Sequence, residues 1–251
     1  MKRFWINLIA LAAVITINAL ANIIPINGQT TGEISNRLNV LFTPAGYVFS
    51  IWGLIYTLLT IWVLRGALKS QRNRDIYTKT STLFVLSCVF NITWILLWHY
   101  EFFPLSVLVI ISLLVSIILI YGQIKRSNPT FLDRLPFSVY MGWVSVATVA
   151  NIAYTINEAG YGGLGIGSVF WTVLLLIVAT LIALGIRYKE RDWIYPLVFV
   201  WAFIGIGVQN EGESSIVVFA AYVLAALIFI GLFVFKKKKD KGYSTRKLSF
   251  K

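Results

Sequence analysis

The chain has 251 residues, of which 58% are hydrophobic and only 13% are charged, and its formal net charge is +12. A soluble globular domain carries about 25% charged residues, so this composition excludes a water-facing surface over most of the chain. The positive charges are concentrated in short loops and in a tail. This pattern favours the anionic headgroups of a lipid bilayer, rather than nucleic acid, as the partner of those segments.

Eight continuously apolar runs, each free of Asp, Glu, Lys, Arg and His, predict an all-α integral membrane protein with about eight transmembrane helices. A helix needs roughly 20 apolar residues to cross the hydrocarbon core. Continuous rather than alternating hydrophobicity argues against the strands of a barrel. The eight runs cover residues 4–24, 47–64, 81–98, 104–121, 135–156, 164–186, 193–208 and 216–235.

The loops between these runs alternate in charge along the chain. With eight spans, 21 of the 22 Lys and Arg residues lie on one side, and the other side has Arg37 with five glutamates. The positive-inside rule then predicts that both termini are cytoplasmic, and short loops suit a bacterial plasma membrane. The first run also fits a cleavable signal peptide, and cleavage would leave seven spans in the same orientation.

Several residues near the span ends have ordinary interpretations. Tryptophans at these positions are typical of the aromatic belts at the headgroup level. His99, the only histidine, is expected to be interfacial, and alone it cannot form a paired-histidine haem or metal site. The glycine-rich residues 162–167 predict a flexible connection or close packing, not a phosphate loop. The predicted belt residues are Trp5, Trp62, Trp98, Trp171 and Trp193.

Polar and aromatic residues from four spans fall in the same outer half of the membrane, when position is converted to depth at about 1.5 Å per residue. Helical spacing places Trp52 and Tyr56 on one face, and Trp143 and Asn151 along one stripe. Because an asparagine facing lipid is costly, these amides should point into the bundle. A cavity of this kind suits a flat, largely apolar ligand. The alternative is that the amides only join helices and the rings only fill the interior.

No combination of side chains in the spans indicates a catalytic or metal-binding site. The spans contain no carboxylate, and no nucleophile, base and orienting group converge, so neither catalytic nor metal-binding residues are predicted. The same absence argues against a proton pump or an ion-coupled transporter. The predicted ligand-binding residues are Trp52, Tyr56, Asn91, Trp94, Trp143, Ala147 and Asn151.

Three segments resemble the signatures of the TspO/MBR family, the translocator or tryptophan-rich sensory proteins. Residues 42–56 read FTPAGYVFSIWGLIY, with a proline before the helix, an aromatic residue, and then Trp52 with Tyr56 four positions later. Residues 91–94, Asn-Ile-Thr-Trp, are similar to the third-helix signature of the family. Residues 140–147, followed by Asn151, are similar to the fifth-helix signature.

This resemblance implies a five-helix bundle that binds porphyrins and other flat hydrophobic ligands such as sterols, often as a homodimer. It also implies that the seven predicted site residues lie at or near the pocket. The resulting division of the chain is a TspO-like five-helix unit in residues 1–157, three additional transmembrane helices in 158–235, and a basic cytoplasmic tail in 236–251.

The leading hypothesis is a membrane receptor or sensor for a porphyrin or sterol-like ligand. It needs no cofactor, a porphyrin being a ligand, and no enzymatic activity. A second hypothesis is a permease that moves such ligands without ion coupling. A third is a membrane enzyme that degrades porphyrin with tryptophan as the redox-active side chain. A fourth is a structural partner subunit, with the three additional helices covering the bundle.

Overall fold

The computed structural model describes residues 1–234, which form helices joined by short connections. The predicted basic tail, residues 236–251, and the last residue of the final apolar run lie outside the described residues. The helices are α1 (Lys2–Ile23), α2 (Thr31–Arg37), α3 (Ile51–Arg65), α4 (Asp75–His99), α5 (Phe103–Arg126), α6 (Phe131–Ile156), α7 (Ser168–Glu190), α8 (Ile194–Gln209) and α9 (Ser215–Val234).

The predicted all-α membrane architecture is confirmed. Within residues 1–234, seven helices are long and apolar enough to cross a membrane, and α8 is a shorter apolar helix of 16 residues. Together these eight correspond to the eight apolar runs. The remaining helix, α2, has seven residues and lies in the connection between α1 and α3.

The sixth apolar run begins before its helix. The sixth span was expected to start at Leu164, but α7 starts at Ser168. Leu164 and the glycines on either side of it adopt positive φ angles, which interrupt a right-handed helix. A Cβ atom at Gly163 would lie 2.7 Å from the backbone nitrogen of Ser168, so the glycine-rich connection packs closely against the start of α7.

The helices form one bundle in which α6 has a central place. α6 packs against α3, α5 and α8, while α4 packs against α1 and α5. α7, α8 and α9 pack against one another, and α8 joins them to α6. This contact is close because Gly142 has no side chain: a Cβ atom there would lie 2.9 Å from the Cβ of Val198.

Some tryptophans near the span ends are not in aromatic belts. Trp5 and Trp193 are about half exposed, as a belt residue should be. Trp62 is instead fully buried, and its ring packs against those of Tyr77 and Phe137 at centroid distances of 4.9 and 5.0 Å. Trp62 lies near the end of its span, as a belt residue does. Its side chain, however, is on the face of α3 that points into the core.

The end of the bundle that carries most basic residues, here called the basic end, contains a buried ion cluster. Asp133 is fully buried in the first turn of α6. Its carboxylate accepts hydrogen bonds from Arg65 at 3.2 Å and from Arg74 at 2.8 Å, and it caps α6 through Thr130. These contacts connect α3, the connection before α4, and α6.

Replacing Asp133 by asparagine should destabilise the fold. The change keeps the size of the side chain but leaves two arginines without their carboxylate, and breaking such a buried pair costs about 3 kcal/mol. Asp75→Asn is the control, because Asp75 and Lys79 form an exposed pair, which is worth under about 1 kcal/mol. Unfolding in mixed micelles measures both. Equal losses would show that burial of the Asp133 cluster does not stabilise this protein.

Candidate ligand-binding site

A cluster of aromatic rings centred on Trp52 lies in the half of the bundle opposite the basic end. Trp52 is stacked on Tyr56, with ring centroids 5.5 Å apart and an interplanar angle of 19°. The rings of Trp94, Tyr140 and Trp143 lie at 6.0, 6.1 and 6.3 Å from Trp52. Side chains from α3, α4 and α6 thus meet around a single indole, as the depth argument predicted.

Two asparagines hold the helices that carry these rings. Asn151 on α6 accepts a hydrogen bond from the Trp94 indole at 2.9 Å, and its amide nitrogen donates to Ser106 on α5 at 3.0 Å. This network fixes the Trp94 ring in one orientation. Trp94, Ser106 and Asn151 are all buried, so these hydrogen bonds satisfy polar groups that have no access to water.

Asn91 has the same kind of role on α4. It is fully buried, accepts a hydrogen bond from Asn18 on α1 at 2.8 Å, and donates to the Tyr140 hydroxyl on α6 at 3.1 Å. Both ends of the amide are therefore engaged with the protein. Asn91 acts as a bridge between three helices.

A cavity of about 40 Å³ lies beside Trp52, and a second space of about 360 Å³ lies on its other side, towards α1. Thr31, Phe49 and Trp52 border both spaces. The cavity is bordered by Thr31, Ser35, Thr43, Pro44, Phe49, Trp52, Trp94, Trp98, Trp143, Val146, Ala147, Ala150, Asn151 and Tyr154.

Two indole N–H groups in the cavity wall have no hydrogen-bond acceptor. The Nε1 atoms of Trp98 and Trp143 are buried without a partner in the described part of the chain. Leaving a buried donor unpaired costs about 1–3 kcal/mol. A ligand that carries a carbonyl or carboxylate oxygen could accept from them.

The short helix α2 closes the cavity at its outer end. Residues 26–37, here called the lid, include α2 and the turn before it, and Thr31 and Ser35 of the lid line the cavity. His99 at the end of α4 is buried, with Nε2 at 2.9 Å from the Thr31 hydroxyl and Nδ1 at 3.0 Å from the carbonyl oxygen of Ile26. His99 lies at the outer end of α4, where an interfacial residue was expected, but its side chain is buried and holds the lid.

Charged residues at the rim also fasten the lid. Arg37 at the end of α2 donates to the Glu101 carboxylate at 2.5 Å, and this hydrogen bond raises the pKa of Arg37. At the start of α2, hydrogen bonds from the backbone N–H and hydroxyl of Thr30 lower the pKa of Glu33. The two ends of α2 are thus capped, and His99 holds Ile26 and Thr31 of the lid.

α8 holds the segment that leads into α3. The side-chain amide of Asn210 donates to the carbonyl oxygen of Leu41 at 2.9 Å, and the Trp201 indole donates to that of Val48 at 3.2 Å. The carbonyl oxygen of Gly205 accepts from the backbone N–H of Ala45 at 3.0 Å. One wall of the cavity, formed by Thr43, Pro44 and Phe49, is therefore positioned by one of the three additional helices.

Six of the seven sequence-predicted site residues border these two spaces, and their role in ligand binding stays a prediction. Asn91 lies on neither wall, since its amide is used between helices. Sequence reasoning missed Phe49, Trp98 and the lid. Trp98 follows Trp94 by four residues, so the helical spacing used for the other pairs could have found it. The cavity wall contains Trp52, Trp94, Trp143, Ala147 and Asn151, and the second space contains Trp52 and Tyr56.

Comparison with protein families gives one match. A family model described as TSPO-like protein matches residues 4–234, which cover the described helices except for the first two residues of α1. No curated protein and no solved structure matches the chain. The match continues through α7, α8 and α9, the helices that lie beyond the five-helix unit inferred from the motifs.

Replacing Thr31 by valine should loosen the lid. Valine has the shape of threonine but cannot bond to His99, and a net loss of about 1 kcal/mol corresponds to roughly fivefold faster opening. Hydrogen exchange followed by mass spectrometry measures this for residues 26–37. Thr57→Val is the control, because the Thr57 hydroxyl bonds only within its own helix. Unchanged lid exchange in Thr31→Val would contradict the assigned role of His99.

Proposed function

Because the chain belongs to the TSPO-like protein family, we propose that it is a membrane receptor or sensor for a flat hydrophobic ligand of the porphyrin or sterol class. The proposed site is the aromatic cavity around Trp52 together with the adjoining space towards α1. Binding would use ring stacking on tryptophan and hydrogen bonds from the site, without a metal and without chemical change of the ligand.

The observation that carries this proposal is the pair of unpartnered indole N–H groups in the wall of a mostly apolar, aromatic cavity. Trp98 and Trp143 offer two buried donors close to the stacked rings of Trp52 and Tyr56. Unpaired buried donors are costly. The packed core contains one as well, at Trp62, so it is the position of the Trp98 and Trp143 donors on a cavity wall that supports a ligand. A flat ligand with acceptor oxygens at its edge, such as the carboxylates of a porphyrin, would match both features.

Binding such a ligand requires the site to open. Pockets for drug-sized ligands have volumes of about 300–1,000 Å³, whereas the cavity is about 40 Å³ and the neighbouring space about 360 Å³. The rings of Phe49 and Trp52 border both spaces. Rotation of these rings would join the spaces into one site of sufficient size, so we expect Trp52 to change its surroundings when ligand binds.

The proposal predicts that porphyrin binding depends on Trp52 and Trp143. Protoporphyrin should quench the tryptophan fluorescence of the purified protein saturably. The double variant Trp52→Phe, Trp143→Phe should weaken the affinity about tenfold, because each specific ring contact is worth about 0.5–1.5 kcal/mol. Chromatography of the porphyrin after incubation should recover it unaltered.

The control is Trp5→Phe, Trp193→Phe, which removes the same number of indoles from half-exposed positions outside the cavity. It should keep the affinity of the unmodified protein. Equal affinity in all three proteins, with the helical circular dichroism preserved, would refute the proposed site. Recovery of a degraded porphyrin would instead favour the enzyme hypothesis.

A further inference from the structure

A second, separate groove lies between α3 and α8. At the middle of α8, the Trp201 indole donates to the carbonyl oxygen of Val48, in the segment that leads into α3. Towards the basic end both pack on α6, and an apolar groove of about 450 Å³ remains between them. Its lining residues include Leu54 of α3, Val139 of α6 and Leu197 of α8, and none of them borders the aromatic cavity.

The groove continues into a polar pocket at the basic end. This pocket has a volume of about 290 Å³ and shares Leu135 and Ile194 with the groove. The rings of Phe131 and Trp193 lie parallel at its mouth, with centroids 6.1 Å apart and an interplanar angle of 8°, and both are about half exposed. Exposed aromatic pairs of this kind are typical of the headgroup level of a membrane.

The charges in this pocket favour an anion. The carboxylate of Asp192 is buried and accepts hydrogen bonds from Tyr121 at 2.7 Å and from the backbone N–H of Ile194 at 2.9 Å. Arg134 lies 3.5 Å from Asp192 and balances its charge. Arg191 also lines the pocket, and within residues 1–234 it makes no ion pair, so one positive charge remains uncompensated.

The size of the groove suits one lipid chain. It follows α8 from Ile194 to Trp201, which is about 10 Å at 1.5 Å per residue. This length fits within one leaflet, whose hydrocarbon is about 15 Å deep. Trp201 lines the far end of the groove, and a chain can enter from the basic end or from the side.

We propose that this groove and pocket form a binding site for one anionic phospholipid from the leaflet at the basic end. One acyl chain lies in the apolar groove, and the phosphate lies at Arg191, beside the stacked rings of Phe131 and Trp193. A sterol would leave the charge of Arg191 unused, and a free anion would leave the groove unused. An anionic phospholipid matches both parts.

The first test compares lipid headgroups by native mass spectrometry of the delipidated full-length protein. Phosphatidylglycerol should bind at least about tenfold more tightly than phosphatidylcholine with the same chains, as expected for one charge-assisted contact. Arg191→Asn should abolish this preference. Arg191 has a φ of 54°, a conformation that asparagine tolerates, so the substitution removes charge with little backbone strain.

Two controls separate a defined site from general attraction to a basic surface. Lys189→Gln removes an equal charge from the same end of α7, at a residue that does not line the pocket, and should keep the preference. Inorganic phosphate in excess should not displace the lipid. An equal loss in both variants, or displacement by phosphate, would overturn the proposed site.

The second test concerns the acyl chain. Leu54→Trp places a large ring in the groove and should weaken phosphatidylglycerol binding about tenfold, whereas Leu108→Trp, at another exposed leucine outside the groove, should leave it unchanged. Unchanged binding in Leu54→Trp would overturn the assignment of the chain to this groove. Helical circular dichroism and elution volume confirm that each variant is folded.

Discussion

In a membrane, polar side chains inside a helix bundle must find partners within the protein, and this constraint organises the structure. The Asn91 amide finds its partners on α1 and α6 and so joins these helices to α4. The Asn151 amide finds its partners on α4 and α5 and joins them to α6. Apolar packing alone leaves rotation of a helix about its axis weakly specified, whereas an amide pair fixes it. The orientation of the rings around Trp52 therefore depends on these few hydrogen bonds.

The three additional helices do not form a separate unit in this structure. α8 packs against α6 at Gly142, where any side chain would meet Val198. Trp201 at the middle of α8 and Asn210 at its outer end hold the backbone of Val48 and Leu41. Because that segment carries one wall of the cavity, a change in α8 would alter the shape of the site. The match of one family model through all of these helices agrees with this arrangement.

Much of the fold could be predicted from the sequence, because hydrophobicity reports directly on depth in a membrane. The depth estimated from sequence position also predicted that Trp52, Trp94 and Trp143 lie in the same half of the bundle. What depth does not report is the direction that a side chain takes around its helix. Trp62 and Trp98 have the depth of belt residues and are nevertheless buried. The role of His99 was not predictable for a different reason: its partners lie in a connection with no hydrophobic periodicity.

The closed form of the cavity determines what a ligand must supply. In this form the ring of Trp52 packs against those of Tyr56, Trp94 and Trp143, and two indole N–H groups in the cavity wall remain unpaired. Opening the site loses ring contacts of about 0.5–1.5 kcal/mol each, and an apolar ligand can only replace them with contacts of the same kind. An acceptor oxygen at the ligand edge adds hydrogen bonds that the closed form does not have. Selectivity of this site should therefore come from the polar edge of the ligand rather than from its flat face.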